Sequence, residues 1–379
     1  MRAIVHIGMP KTGTTSIQTW LDLNRAALAA RGIAYDRLAL DDVPAQPPSQ
    51  VEVGLCGLTE AGLLVNNSEV RRAYALTSLA DQAAFCAEFE PRFARSVRAA
   101  EDAGAQAYVI SSEHIESWTE RAEEVAGLDR FLGRYFAEVT YIVYIRRQED
   151  WLLSYYTQAL RRGDGLSLAQ YIERWKACGF AGRLDVWARA LGRERLSVRL
   201  MERDALVGGD LLEDFARALG TNSAALRRPY RRNTAMSAIA AEFLLLLNRA
   251  TPPFVDEGRR RNPLVNGVAA RLTALSARGP KLALSPEQAQ AIRDANAADN
   301  ARIRDAWFPD RPALFAEKPL PEGPAPEPTP VEMGWIGLEM LFAARLGELP
   351  PLSEEDVAAV HAARKAAAEA RRQHEMQTS

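Results

Sequence analysis

The stretch Ala3-Ile4-Val5-His6-Ile7-Gly8-Met9-Pro10-Lys11-Thr12-Gly13-Thr14-Thr15-Ser16 decides how the rest of the chain is read. Its first five residues form a β-type run. The chain then turns through Gly8, Pro10 and Gly13, after which Ile17, Trp20, Leu21 and Leu28 recur at helical spacing. A strand that passes through a glycine-bearing turn directly into a helix has the geometry of an anion-binding loop. Glycine lets the backbone curl so that successive N–H groups point at one centre, and the helix N-terminus adds its dipole and its unbonded donors. Thr14, Thr15 and Ser16 bring hydroxyl donors, and Lys11 places a cation inside the loop. The nucleotide-triphosphatase pattern GxxxxGK[ST] puts a lysine directly after its second glycine, whereas here Thr14 stands at that place.

Three further β-type runs lie downstream, Gln106 to Ile110, Val139 to Ile145 and Leu196 to Leu200, with helical periodicity between them. Strands that alternate with helices imply a P-loop-like three-layer α/β fold. It would have a central, mostly parallel sheet flanked by helices, with ligands at the carboxyl ends of the strands. Two of those ends carry chemistry. The run to Ile145 is followed by Arg146, and Ser154 lies eight positions further, about two turns into a helix marked by Leu152, Tyr155, Tyr156 and Leu160. A guanidinium fork and a hydroxyl at that spacing can meet around one anion. The run to Ile110 is followed by Ser111-Ser112-Glu113-His114, which offers two candidate bases side by side. If a helix starts there, neighbouring side chains diverge by about 100°, so only one faces a given centre. An aspartate from the 36–42 segment is a third candidate.

Pro10-Lys11-Thr12-Gly13-Thr14-Thr15 resembles the 5′-phosphosulfate loop of the sulfotransferase superfamily, PK[ST]GT[TS], at every position. Arg146 and Ser154 resemble the superfamily's second motif, an arginine and a serine at the same spacing after a central strand. The likeness is nearest to bacterial sulfotransferase-family proteins that open with a HIGxxKTGTT-like segment, and in weaker form it extends from residue 3 to about 250. It implies 3′-phosphoadenosine 5′-phosphosulfate (PAPS) as sulfuryl donor and no metal. Pro10 and Thr12 to Ser16 would hold the 5′-phosphosulfate, and Lys11 would stabilise the bridging oxygen. Arg146 and Ser154 would bind the 3′-phosphate, and Glu113 or His114 would be the base, with Glu113 preferred. Tyr230-Arg231-Arg232-Asn233 is similar to the family's later basic segment, which would put Arg231 and Arg232 at the nucleotide. A carbohydrate or glycolipid hydroxyl is the acceptor that the resemblance implies first, with a small phenol or amine as alternatives.

Composition reads as that of a soluble globular protein. The 379 residues are 47% hydrophobic and 25% charged, enough for a sizeable core. A formal net charge of −2 leaves no global basic field for duplex nucleic acid, so any anion site must be local. Cys56, Cys86 and Cys178 are too few and too scattered for a disulfide framework, and the four histidines lack metal-ligand spacing. No apolar run reaches the roughly 20 residues of a membrane span, and the first residues do not read as a secretory segment, so a cytoplasmic setting is expected. Residues 1–318 are expected to be the catalytic domain. Residues 319–330, six prolines in twelve, read as an extended linker, and 331–379 as a helical tail with an apolar stripe of Trp335, Leu338, Leu341, Phe342 and Leu346. Residues 38–70, rich in proline and glycine, read as a surface excursion. Asp41, Asp42 and Arg161-Arg162 are candidates for lining an acceptor cleft. Oligomeric state is not readable.

Two other readings fit parts of the chain. A P-loop nucleoside or small-molecule kinase shares the strand, glycine-bearing loop and helix, but the missing GK[ST] deprives it of its phosphate lysine. A catalytically lapsed nucleotide-binding module would bind without transfer, with the tail as its partner contact.

Overall fold

In this computed structural model the described residues are 1–38, 49–230, 235–252, 254–255, 260–275 and 279–345, with 355, 358, 359 and 362 beyond them. Seven strands are present among them: β1 (Arg2–Gly8), β2 (Ile33–Ala34), β3 (Ala107–Ser111), β4 (Val139–Ile145), β5 (Leu196–Leu200), β6 (Phe254–Val255) and β7 (Arg260–Arg261). The helices of the first half are α1 (Thr14–Leu23), α2 (Arg25–Ala29), α3 (Val51–Glu60), α4 (Ser68–Ala73), α5 (Leu79–Asp102), α6 (Glu113–Trp118) and α7 (Ala122–Gly133). Then follow α8 (Gln148–Arg161), α9 (Leu168–Trp175), α10 (Phe180–Leu191), α11 (Leu211–Ala218), α12 (Ala238–Ala250), α13 (Pro263–Leu275), α14 (Pro286–Trp307) and α15 (Pro330–Arg345).

The chain divides into two compact units. The first comprises residues 1–147, 179–230 and 297–317, and the second residues 148–178, 231–296 and 318–379. In the first unit β1 to β5 form one sheet in the order β2-β3-β1-β4-β5, parallel at every pairing. The expected α/β fold with a central parallel sheet is therefore present. β1 is flanked on both sides, with Ile4 opposite Val109 of β3 and Thr140 of β4. Ala3 to Met9 are all buried, as a parallel strand covered on both faces requires.

Alternation along β3 shows the two faces. Ala107 and Val109 join a core of Ile17, Trp20 and Leu21 from α1 with Phe215 and Ala216 from α11. Tyr108 points the other way, with its ring edge on Phe93 of α5 at 6.0 Å and tilted against Phe136 at 5.7 Å. There Phe89, Phe93, Phe131 and Tyr135 continue an aromatic layer with ring centroids 5.0–6.0 Å apart. Contacts of this kind are worth roughly 0.5–1.5 kcal/mol each beyond area burial.

The 38–70 segment, expected to run over the surface, instead contains a buried helix. Residues 51–58 of α3 are all buried. The physical reason lies in the glycines that suggested turns. A Cβ on Gly57 would lie 2.9 Å from the backbone of Leu128, and one on Gly127 would lie 2.5 Å from the Gly57 carbonyl, so α3 and α7 touch backbone to backbone. These glycines mark a close helix crossing. Asp41 and Asp42 lie outside the described residues.

The second unit is mainly helical, with β6 and β7 pairing antiparallel. Asn248 on α12 donates 2.8 Å bonds to the carbonyls of Leu160 and Asp164, which ties it to the end of α8. Arg293 pairs with Glu149 at 2.7 Å. Residues 319–329 carry no helix or strand, and α15 follows them. No helix among the described residues is long and apolar enough to cross a membrane.

Candidate active site

β1 ends where its pairing with β4 shifts register between His6 and Gly8, and the chain leaves the sheet into the loop that precedes α1. Gly13 caps α1 in the left-handed region at φ 84°, and a Cβ there would collide with the Leu211 side chain of α11. Glycine is required twice over, by dihedral and by space. Lys11 also sits at positive φ, 68°, a conformation that costs a non-glycine residue free energy and is concentrated in ligand-binding loops. Thr12 is fully buried, and its hydroxyl donates to the Met9 carbonyl at 2.5 Å, bracing the turn. Thr14 is buried at the helix start, Ser16 is half-buried and Thr15 is exposed. Of the five residues expected to cradle an anion, Thr12 gives its hydroxyl proton to the Met9 carbonyl, while Thr15 is exposed.

Arg146 follows β4, the neighbour of β1, and its Nη1 donates to the Lys11 carbonyl at 3.4 Å. Lys11 and Arg146 thus lie side by side within the first unit. Arg147, adjacent in sequence, is engaged elsewhere. It pairs with Glu202, donates to the Ala316 carbonyl at 2.5 Å, and lies 5.4 Å from the Phe315 ring centre. Ser154 belongs to the second unit, in the second turn of α8, where its carbonyl accepts the Thr157 hydroxyl at 2.9 Å. Arg231 and Arg232 lie outside the described residues.

The structure separates the two candidate bases. α6 begins at Glu113, whose Cα would lie 3.4 Å from a Cβ on Gly8, so its first turn abuts the start of the phosphate-type loop. Gln18 of α1 donates to the Glu113 carboxylate at 2.7 Å. His114, one position on, turns away and stacks on Trp118 with ring centres 5.0 Å apart. Glu113 therefore faces the loop-bearing helix, and His114 packs along its own helix.

Behind Glu113 lies a polar network that sequence reading missed. His6 Nδ1 and the Ser111 hydroxyl are 2.8 Å apart, the Ser111 N–H donates to Gln50 Oε1 at 2.6 Å, and the hydroxyls of Ser49 and Ser112 are 3.1 Å apart. His6 is fully buried, and desolvation lowers its pKa to about 3, so it is neutral at physiological pH. On the far side of the ring, Tyr144 and Phe215 approach at 6.0 and 5.3 Å. The Tyr144 carbonyl accepts the Met9 N–H at 3.1 Å, and its hydroxyl donates to Asp214 at 2.6 Å. Burial works to raise the Asp214 carboxyl. Hydrogen bonds from Arg199, at 2.6 and 2.8 Å, and from Tyr144 outweigh burial and hold it below the usual carboxylate range. Gln18 had a sequence signal, because a glutamine adjoins Ile17 on the stripe that buries Trp20 and Leu21. His6 had a weaker one, as a lone polar residue inside an apolar strand.

No family model matches the chain, and no curated protein does. Among solved structures, one from Alicyclobacillus acidocaldarius matches at 15% identity with a TM-score of 0.31, over 73% of this chain and 96% of its own. A domain from the curacin biosynthetic pathway matches at 12% identity with a TM-score of 0.32, over 90% and 97%. Both are sulfotransferases. At TM-scores this low neither likeness bears on the chemistry of this chain, which rests on the residues at its own strand ends.

Proposed function

We propose that the chain is a PAPS-dependent sulfotransferase that moves a sulfuryl group to a hydroxyl or amine acceptor by in-line displacement. The observation that carries this reading is the junction after β1. There the motif Pro10 to Thr15 sits between strand and helix with Gly13 as a left-handed cap, and Arg146 reaches the Lys11 carbonyl. Backbone donors at a helix N-terminus together with two cations suit a phosphosulfate. As the acceptor oxygen bonds to sulfur, the bond from sulfur to the bridging phosphate oxygen breaks and its electron pair leaves with adenosine 3′,5′-bisphosphate. Lys11 neutralises that developing charge, and the Glu113 carboxylate takes the acceptor proton.

For the 5′-phosphosulfate the resemblance implies Pro10 and Thr12 to Ser16. For the 3′-phosphate it implies Arg146 and Ser154, and Arg231 and Arg232 keep the nucleotide role that it suggests. A carbohydrate or glycolipid hydroxyl is the acceptor class we assign, on the resemblance alone. Cys56, Cys86 and Cys178 are free thiols, which suits the cytoplasmic setting we propose.

The test is release of adenosine 3′,5′-bisphosphate from PAPS in the presence of a panel of sugar, phenol and amine acceptors, with chelator in place of magnesium. Acceptor-dependent release under chelation is expected. Phosphoryl transfer from ATP that requires magnesium, with no release from PAPS, would replace this reading with a kinase.

A further inference from the structure

α8 and α9 are joined by a turn that local sequence signals fix at both ends. Gly163, at φ 98°, closes α8 in a Schellman pair: its N–H donates to the Leu160 carbonyl and the Asp164 N–H to the Ala159 carbonyl, both at 3.0 Å. Ser167 and Gln170 then cap α9 reciprocally. The Ser167 N–H donates to Gln170 Oε1 at 2.9 Å, and the Gln170 N–H donates to the Ser167 hydroxyl at 3.3 Å. The two helices and their turn line a pocket of about 370 Å³, at the small end of ligand-sized cavities. All of its lining residues belong to the second unit.

Tyr155, Gln158 and Arg162 reach the pocket from α8 and its end, and Tyr171 and Trp175 from positions one turn apart on α9. Aromatic rings make one wall. The Tyr171 and Trp175 ring centres are 4.3 Å apart and inclined at 43°, and the Arg174 guanidinium lies 4.7 Å from the centre of the Trp175 ring. Three polar groups complete the lining without a protein partner of their own among the described residues. Tyr171 is only 7% exposed, yet its hydroxyl bonds to no other group there. The Gln158 amide likewise has none, and Asp164 uses Oδ1 on the Leu166 N–H at 2.9 Å while Oδ2 is left over. Burial, with the nearby Asp164 charge and Cys178 adding to it, pushes the Tyr171 phenol up to about 12, so it keeps its proton as a donor. A buried hydroxyl without a partner costs free energy that a bound hydrogen-bonding group recovers.

We propose that this pocket binds a neutral saccharide ring, an inference independent of the reaction proposed above. A pyranose presents a face of C–H groups, which suits the negative faces of aromatic rings, and a rim of hydroxyls that both donate and accept. The three unpartnered groups match that rim: the carboxylate oxygen accepts, and the amide and the phenol do both. Charge points the same way. Arg162 and Asp164 bring one charge of each sign, so the pocket favours neither a phosphate nor an amine. Shape separates a sugar from a nucleobase. Rings inclined at 43° form a concave wall that a puckered ring fits, whereas a flat base lies against one ring alone.

The experiment is saturation-transfer NMR on the full-length chain with cellobiose, maltose, lactose and N,N′-diacetylchitobiose, beside adenosine, without PAPS. At least one disaccharide should bind the wild type, with the strongest transfer to the C–H protons of one ring. Trp175→Ala should weaken that binding at least about tenfold. Tyr171→Phe removes only the unpartnered hydroxyl, and it should weaken binding by about three- to tenfold at unchanged melting temperature. Absence of binding by all four disaccharides would overturn the proposal, and so would binding that both variants leave intact. Adenosine binding that is lost in Trp175→Ala, with no disaccharide bound, would assign the pocket to a flat base instead.

Discussion

β1 and β3 are adjacent parallel strands that end at the same edge of one sheet, and each runs into a helix, yet the two junctions are built for opposite charge. After β1 the chain takes two left-handed residues, Lys11 and Gly13, and offers backbone donors with a cation. After β3 it enters α6 within two residues and offers a carboxylate, Glu113, held by Gln18 from the helix of the first junction. Topology places both ends at one edge, and in the proposed reaction the residues at the turn decide whether that edge receives an anion or a proton. Sulfuryl transfer needs both.

The largest effect that would break this division of labour is at the carboxylate. Glu113→Gln is expected to lower kcat by about 10²–10⁴, whereas His114→Ala, whose ring stacks on Trp118, should change it by less than about tenfold. Steady-state release of adenosine 3′,5′-bisphosphate reads both variants, and the reverse ranking would move the base to His114. Next comes the cation. Lys11→Ala should lower kcat by about 10²–10³ at unchanged melting temperature, since it removes a charge that matters as the bridging oxygen leaves. A variant that keeps most of its turnover would remove Lys11 from the mechanism.

Gln18→Leu tests the link between the junctions. With the 2.7 Å amide donor gone and the side-chain volume kept, kcat should fall about tenfold while KM for the donor stays put. A rise in KM alone would make Gln18 part of donor binding.

The smallest effect concerns His6, whose ring and carbonyl join the two strands through Ser111 and Ser112. Its value of about 3 in the folded chain lies below the ordinary 6.5 of the unfolded chain. The unfolded state therefore binds the extra proton first. This contribution to stability is complete above pH 6.5 and is lost as pH falls below it, by at most about 1.4 kcal/mol per pH unit. Urea unfolding at pH 7 and pH 5 should show a shallower loss for His6→Gln than for wild type, and equal slopes would refute the assignment.

The strands were largely legible because their apolar runs are long. Val139–Ile145 and Leu196–Leu200 fall where the sequence pattern puts them, and β1 and β3 differ from it by one residue at the ends. β2, with two residues, is too short to show any period. α3 was hidden because Gly54 and Gly57 have the same letters whether they serve a turn or a close helix crossing, and only the partner backbone tells them apart. In the site, sequence supplied Lys11 and Arg146 but not the reason that Arg147 differs, which lies in Glu202 and Ala316, more than fifty residues away. It left Glu113 and His114 side by side, and the contacts with Gln18 and Trp118 separate them.

Calorimetric titration with adenosine 3′,5′-bisphosphate in chelator, beside ATP with magnesium, addresses the central claim most directly, because it reads the anion site without needing an acceptor. The account predicts binding of the bisphosphate to wild type without magnesium, weakened at least about tenfold in Arg146→Ala by loss of a charge-assisted contact. Tight binding of ATP with magnesium and none of the bisphosphate would contradict it.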